Sequence, residues 1–311
     1  MIRKLLLPLD GSRLAEAALG WGLRFAEAFD ATVVLLHVLE RNAPRTIHGE
    51  SHLRGATEAE GYMEGLIRGF PDGVVAESHV HTVPEGDLAA SIARHAAELG
   101  TDLAIVSAHG SPGVRGRLLG GVAQHVLRQA TSPVLLLRPE SAHIAGREMG
   151  GLLVPLDGTP EAEAILPLVL EVADRMRLPV RLLMVVPTVG TVRGDRAATA
   201  RVSPLATAAV LDVEQEAAVG YVDTVVSRLR ERGFEAMGEV ARGDAVDLVA
   251  GEAGREDIGI VAMASHGRSG FAALWSQSVG AGVQARVHRP VLLLNPAQPR
   301  DQSAEDGEPR P

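Results

Sequence analysis

The stretch Leu5-Leu6-Leu7-Pro8-Leu9-Asp10-Gly11-Ser12 returns, 147 residues later, as Leu152-Leu153-Val154-Pro155-Leu156-Asp157-Gly158-Thr159. A short apolar run closed by an Asp-Gly pair reads as a strand buried on both faces that ends in a turn. Its return makes the chain a tandem repeat. Leu35-Leu36-His37-Val38 recurs as Leu182-Leu183-Met184-Val185 at the same offset. Three further units recur at an offset of 157: Gly86-Asp87 as Gly243-Asp244, Ser107-Ala108-His109-Gly110 as Ala264-Ser265-His266-Gly267, and Pro133-Val134-Leu135-Leu136-Leu137 as Pro290-Val291-Leu292-Leu293-Leu294. Ten extra residues therefore lie between Val185 and Gly243. The polar stretch from Thr188 to Thr207 is their expected place.

Outward from the first run, each half alternates strand and helix. Residues 13–28 carry Leu14, Ala18, Trp21, Phe25 and Ala28 at helical spacing. Residues 31–38 read as a second strand, 57–69 as a helix, and 74–83 as a third strand alternating around Val75 and Val83. Helix 87–98, strand 102–107, helix 121–130 and strand 133–137 complete a βαβαβαβαβ order, which the second half repeats over roughly residues 151–295. Such alternation predicts an α/β fold: two open, doubly wound parallel sheets of five strands each, with right-handed crossovers and helices on both faces. The expected division is a first domain at 1–138, a linker at 139–150, a second domain at 151–296 and a disordered tail at 297–311.

The composition narrows the function. The chain has 311 residues, 46% apolar and 22% charged, enough for two globular domains with real cores. Aromatics are 3%, so those cores must be aliphatic. A diffuse net charge of −9 argues against nucleic acid or an anionic membrane as the main partner. The absence of cysteine excludes disulfides, thiolate metal sites and cysteine nucleophiles, and is compatible with the cytoplasm. The apolar run at residues 5–9 is too short for a signal peptide, and no stretch approaches the roughly 20 apolar residues of a membrane span.

In an open parallel sheet, ligands bind beyond the carboxyl ends of the strands where strand order reverses. Three loops of the first half meet that description: Asp10-Gly11-Ser12, the end of the second strand at Val38, and the glycine-rich segment from Ser107 through Gly110, Gly113, Gly116 and Gly120 to Gly121. A helix opening near Gly121 offers unpaired N–H groups to an anion. Arg115 and Arg117 stand within the loop and supply positive charge.

These residues resemble the universal stress protein family. Its motif is Gly, two residues, Gly, nine residues, Gly, then Ser or Thr, placed after the fourth strand and followed by a Pro-Val-Leu type last strand. The resemblance spans nearly all of both halves. It implies a fold of the adenine-nucleotide α-hydrolase type and a regulatory protein that binds ATP, with or without Mg²⁺. In the family's ATP-binding branch, the Asp after strand one, the Val ending strand two and the glycine motif hold the nucleotide. Carried over, these are Asp10, Val38, Gly110 and Gly120 in the first half, and Asp157, Val185, Gly267 and Ser278 in the second. Pro8, Ser107, His109, Arg117, Gly121 and Ala264 complete the candidate set. Ser107 and Gly121 replace the motif's first Gly and closing hydroxyl, and Ala264 and Gln277 replace its first and third Gly. Gln277 sets a side chain where a phosphate must approach backbone, so the first half is the better nucleotide site.

Plainer roles compete at the same residues. Asp-Gly is an ordinary turn pair; Ser12 and Thr159 suit helix N-caps, with Pro160 at a first helical position. His109 and His266 lack a serine–acid partner pattern. His79 and His81 have strand spacing that sets both on one face, and without cysteines or a nearby carboxylate pattern metal binding is the minor reading, so no metal site is expected. No Walker lysine motif and no Gly-x-Gly-x-x-Gly after strand one are present, so efficient phosphoryl transfer and a dehydrogenase are not expected. The chain reads as a binding protein with at most weak ATP hydrolysis, or alternatively as an interaction scaffold that binds no nucleotide. The family's habit of pairing last strands antiparallel places Val134–Leu137 against Val291–Leu294 within one chain, a pseudo-dimer. Dimerisation of the whole chain is compatible with that arrangement.

Overall fold

In the first half, the apolar runs and helical stripes become β1 (Lys4–Pro8), α1 (Arg13–Phe29), β2 (Thr32–Glu40), a small hairpin of β3 (Thr46–Ile47) and β4 (Glu50–Ser51), α2 (Ala56–Ile67), β5 (Ala76–Glu85), α3 (Leu88–Glu98), β6 (Leu103–Ser107), α4 (Gly121–Gln129) and β7 (Val134–Leu137). The second half contains β8 (Gly151–Leu156), α5 (Pro160–Glu163), α6 (Leu166–Met176), β9 (Val180–Val186), α7 (Asp195–Val202), α8 (Pro204–Glu231), β10 (Ala236–Arg242), α9 (Ala245–Ala253), β11 (Ile258–Ala264), α10 (Val279–Arg286) and β12 (Val291–Leu294). The computed structural model describes residues 1–47, 50–108, 121–138, 149–193, 195–264 and 279–295. The expected linker at 139–148, the tail from 296 and most of the glycine-rich loops lie outside the described residues.

Ten strands form one sheet in the order β10-β9-β8-β11-β12-β7-β6-β1-β2-β5. Within each half every pairing of this sheet is parallel. The halves join where β12 and β7 run antiparallel, with Val291 opposite Leu136, Leu292 opposite Leu135 and Leu293 opposite Val134. The last strands thus pair as expected, and each covers an apolar edge that would otherwise stand open.

Strand alternation explains how the sheet is buried on both sides. Leu5 and Leu7 of β1 pack in one core layer and Leu6 in the other, because successive side chains of a strand point to opposite faces. One layer combines α1, α2, α6 and α8 residues such as Trp21, Phe25, Met63, Val169 and Val225. The other combines α3, α4, α9 and α10 through Ile92, Leu127, Val249 and Val283. Both layers continue from one half into the other. The Ile2 N–H also donates to Glu171 Oε1 at 2.7 Å across the seam.

Three expectations change in detail. The buried face of α1 is Ala15, Ala18, Trp21, Gly22, Phe25, Ala26 and Phe29, while Leu14 and Ala28 are only half-buried. The third strand starts at Ala76, and Val75 and Val83 are each 63% exposed. β5 is the outermost strand of its half, and Val83 on it and Val75 just before it stand in solvent. Part of the stretch assigned to the insertion is helical: α7 forms there, and α8 runs 28 residues where α2 has 12.

Candidate functional site

β1 lies between β2 and β6, and β8 lies between β9 and β11, so each half has the strand-order reversal where a crevice opens at the carboxyl ends. Because β7 and β12 are antiparallel, the two carboxyl edges face opposite ends of the sheet.

In the first half that edge gathers Pro8 at the end of β1, Asp10 just beyond it, Ser107 at the end of β6, and Val38, which lies two residues inside β2 because that strand runs on to Glu40 and does not end at Val38. Asp10 Oδ1 accepts hydrogen bonds from the Ser12 backbone N–H at 2.9 Å and the Ser12 hydroxyl at 2.7 Å. Ser12 Oγ in turn accepts from the Ala15 N–H at 3.2 Å, capping α1. The turn-and-cap roles are therefore real at these residues. The second half repeats them: Asp157 Oδ1 accepts from the Thr159 N–H at 3.0 Å and hydroxyl at 2.7 Å, and Thr159 caps α5 through the Ala162 N–H with Pro160 at its start. Gly11 and Gly158 both adopt positive φ, 88° and 82°, which lets the loop turn without a Cβ penalty.

Val38 is buried, while Val185 and Pro8 are half-buried. Ala264 is buried at the end of β11. Ser107 closes β6, and its buried Oγ has no hydrogen-bond partner among the described residues. Gly121 opens α4 from the same edge. His109, Gly110, Arg117, Gly120, Gly267 and Ser278 lie outside the described residues, as does Gln277.

Several neighbours of the first loop were not legible in the sequence. The β3–β4 hairpin folds onto it. Glu50 Oε2 accepts from the Arg13 N–H at 2.7 Å, and the Leu53 N–H points to Asp10 O at 3.5 Å. Leu53 also lies so close to Gly11 that an added Cβ would stand 2.7 Å from its Cγ. Beneath, His37 is 2% exposed with Nδ1 2.7 Å from Leu9 O, its ring edge-on to buried His52 at 6.5 Å. Among the described residues neither buried His37 Nε2 nor buried His52 Nδ1 meets a partner in full hydrogen-bond geometry. Burial, chiefly, holds the His37 imidazole below its ordinary pKa, against the opposing pull of the Leu9 carbonyl.

A duplicated contact flanks each loop. The Tyr62 hydroxyl donates to Glu16 Oε1 at 2.8 Å, and the Tyr221 hydroxyl donates to Glu163 Oε1 at 2.9 Å. These are the chain's only tyrosines, and Glu16 and Glu163 keep the 147-residue offset, which was the one available sequence signal. Burial first, and the carboxylate partner second, push both phenols above their ordinary pKa.

This architecture is a doubled, doubly wound α/β fold of the Rossmann-like, adenine-nucleotide α-hydrolase class. Residues 1–138 and 149–295 each match the sequence model of the Universal stress protein family, so the chain belongs to that family. Among solved structures it is similar to a universal stress protein from Archaeoglobus fulgidus DSM 4304, with 17% identity, a TM-score of 0.65, and coverage of 94% of this chain and 98% of that one. It is likewise similar to a functionally unknown protein from Pseudomonas aeruginosa PAO1, at 16% identity and TM-score 0.66, covering 95% and 93% of the two chains. A putative universal stress protein from Pseudomonas aeruginosa UCBPP-PA14 shares 16% identity and a TM-score of 0.64 over 94% and 93%. These likenesses establish the fold. No curated protein in the comparison matches the chain. Among the described residues no helix is long and apolar enough to cross a membrane.

Proposed function

We propose that the chain is a regulatory protein of the cytoplasm that binds an adenine nucleotide, ATP with or without Mg²⁺, at the carboxyl edge of its first half. The observation that carries this reading is the meeting of Asp10, Val38 and Ser107 beside the start of α4. Among the described residues the buried Ser107 hydroxyl has no hydrogen-bond partner, and buried polar groups in native proteins are normally satisfied. A ligand with oxygen and nitrogen acceptors and donors suits that edge. Val38 would contribute through its backbone, and the N–H groups opening α4 would face negative charge. Arg117 and the glycines at 110 and 120 would complete the cradle. In this reading the protein binds and signals rather than turning over substrate, with hydrolysis weak at most. The two domains, 1–138 and 151–296, act as a pseudo-dimer through β7 and β12.

One observation favours the alternative, an interaction scaffold that takes no nucleotide. Asp10 and Asp157 already accept two hydrogen bonds each within their own loops, so neither is dedicated to a ligand.

Mass spectrometry of ligand released from purified, denatured protein decides between them, together with thermal unfolding in ATP and Mg²⁺. One occupied site at 100 times its dissociation constant adds about 2.7 kcal/mol. Co-purified adenine nucleotide, lost on Gly120→Leu, supports the nucleotide reading. An unchanged melting temperature at millimolar ATP moves the assignment to the scaffold.

A further inference from the structure

Far along the sheet, at its β5 edge, three histidines meet. His79 and His81 of β5 stand opposite Leu36 and Val38 of β2, residues of the core layer that contains Ala89, Ile92 and Ala96 of α3. Both histidines therefore face α3. From that helix comes His95, only 4% exposed. The His95 ring centre is 5.1 Å from that of His79 and 4.7 Å from that of His81. The pair at 79 and 81 was visible in the sequence, but the third ring was not.

We propose that His79, His81 and His95 form a site for a borderline divalent transition-metal ion of the Zn²⁺, Co²⁺ or Ni²⁺ class. Three features support it. First, two imidazoles bound through nitrogen at about 2.0–2.1 Å in a tetrahedral site put their ring centres roughly 5 Å apart, the separation found here. Second, His95 Nδ1 is 2.8 Å from the Ser91 carbonyl. Donation to a backbone carbonyl is how metal-binding histidines are commonly oriented, and it leaves Nε2 as the ligand atom. Third, His81 Nε2 is buried 3.2 Å from Glu85 Oε1, within ion-pair reach but out of hydrogen-bond alignment, so among the described residues a metal ion would compete at this nitrogen with that one contact.

Among the described residues no three His, Cys, Asp or Glu side chains are already arranged to hold a metal ion. Binding therefore requires the half-buried rings of His79 and His81 to turn about their side-chain bonds. Such a turn carries each ring between staggered wells, a small cost against coordination by three imidazoles. Glu85 adds negative charge beside the site, although Arg94 Nη2 holds its Oε1 at 2.6 Å. Three protein ligands leave a fourth position for water.

The test uses the full, untagged chain, stripped with chelator, and Co²⁺ and Zn²⁺ as probes. One equivalent of Co²⁺ should develop the intense visible bands of a tetrahedral complex, and Zn²⁺ should displace it. The double variant His79→Gln/His81→Gln, checked for native circular dichroism, should bind at least about tenfold more weakly, while exposed His125→Gln should bind like the parent. His95→Gln is the third arm, read only if it folds. Absence of Co²⁺ bands and of Zn²⁺ binding at 100-fold excess overturns the proposal. Binding that survives the double variant overturns it too, since the ion then sits elsewhere.

Discussion

Leu135 of β7 and Leu292 of β12 stand opposite each other in the antiparallel ladder that joins the two halves, and both are fully buried. Each comes from a run that would be an exposed apolar edge in an isolated half. Leu292→Ala should therefore cost about 2–5 kcal/mol in urea unfolding, the range for a large-to-small change in a packed core. Val213→Ala on the exposed side of α8, where Val213 is 66% exposed, should stay within about 0.5 kcal/mol. Equal effects from the two would show that the seam is not packed.

Gly11 and Gly73 both hold positive φ, 88° and 93°, but only Gly11 has a side chain close to its missing Cβ. Alanine at either position pays the left-handed backbone penalty of about 1–2 kcal/mol. Gly11→Ala must also displace Leu53, an overpacking cost of about 1–3 kcal/mol more. The excess of Gly11→Ala over Gly73→Ala in denaturant unfolding measures how firmly the hairpin rests on the first loop. No excess would mean that Leu53 moves aside freely.

Ser12 and Thr159 carry matched caps, so Ser12→Ala and Thr159→Ala should each lower stability by about 1 kcal/mol. Ser12→Gly should cost only a few tenths. If Ser12→Ala leaves the unfolding midpoint untouched, the Asp10–Ser12–Ala15 relay contributes nothing to α1.

His37 is neutral in the fold because burial lowers its pKa. In the unfolded chain it titrates near the ordinary value of about 6.5. The unfolded state therefore binds the extra proton first as pH falls. The His37 contribution is intact above that value and is lost as pH drops through the window down to the lowered folded pKa. Unfolding free energies measured from pH 8 to pH 5 should decline, and His37→Gln should flatten the part of the decline due to this residue. Parallel curves for parent and variant would remove His37 as the source.

Tyr62 and Tyr221 are the chain's only tyrosines, and both phenols are raised above their usual range by burial and by a glutamate acceptor. A spectrophotometric titration at 295 nm should show no phenolate near the ordinary value of about 10 until the protein unfolds in alkali. Tyr62→Phe should bring the remaining tyrosine into view as a single late step, and Tyr62→Phe should cost about 1 kcal/mol through the lost bond to Glu16. A phenolate appearing at the ordinary pH would mean that the Tyr–Glu contact is not held in solution.

Legibility followed the range of each interaction. The central strands β1, β2, β6 and β7 were readable because they are continuous apolar runs buried on both faces. β5 starts two residues later than the alternation around Val75 and Val83 predicts, because on an outer strand both valines stand in solvent. The β3–β4 hairpin has two residues per strand, too few for any periodicity to register. The turn at Asp10, the cap at Ser12 and the strand position of Val38 are legible from the apolar runs and the Asp-Gly pair beside them. Glu50, His52 and Leu53 are not, since nothing in their spacing says which loop they cover.

By itself the sequence determined the duplication, the order of strands and helices, and the caps at Ser12 and Thr159. These depend on side-chain periodicity and on contacts between residues a few positions apart, which a linear pattern carries. Only the tertiary structure decided that Leu53 closes on Gly11, that Tyr62 and Tyr221 reach equivalent glutamates, and that His95 joins His79 and His81. Those meetings depend on strand order and on which helix covers which face, and residues distant in the chain acquire such neighbours only when the sheet is assembled.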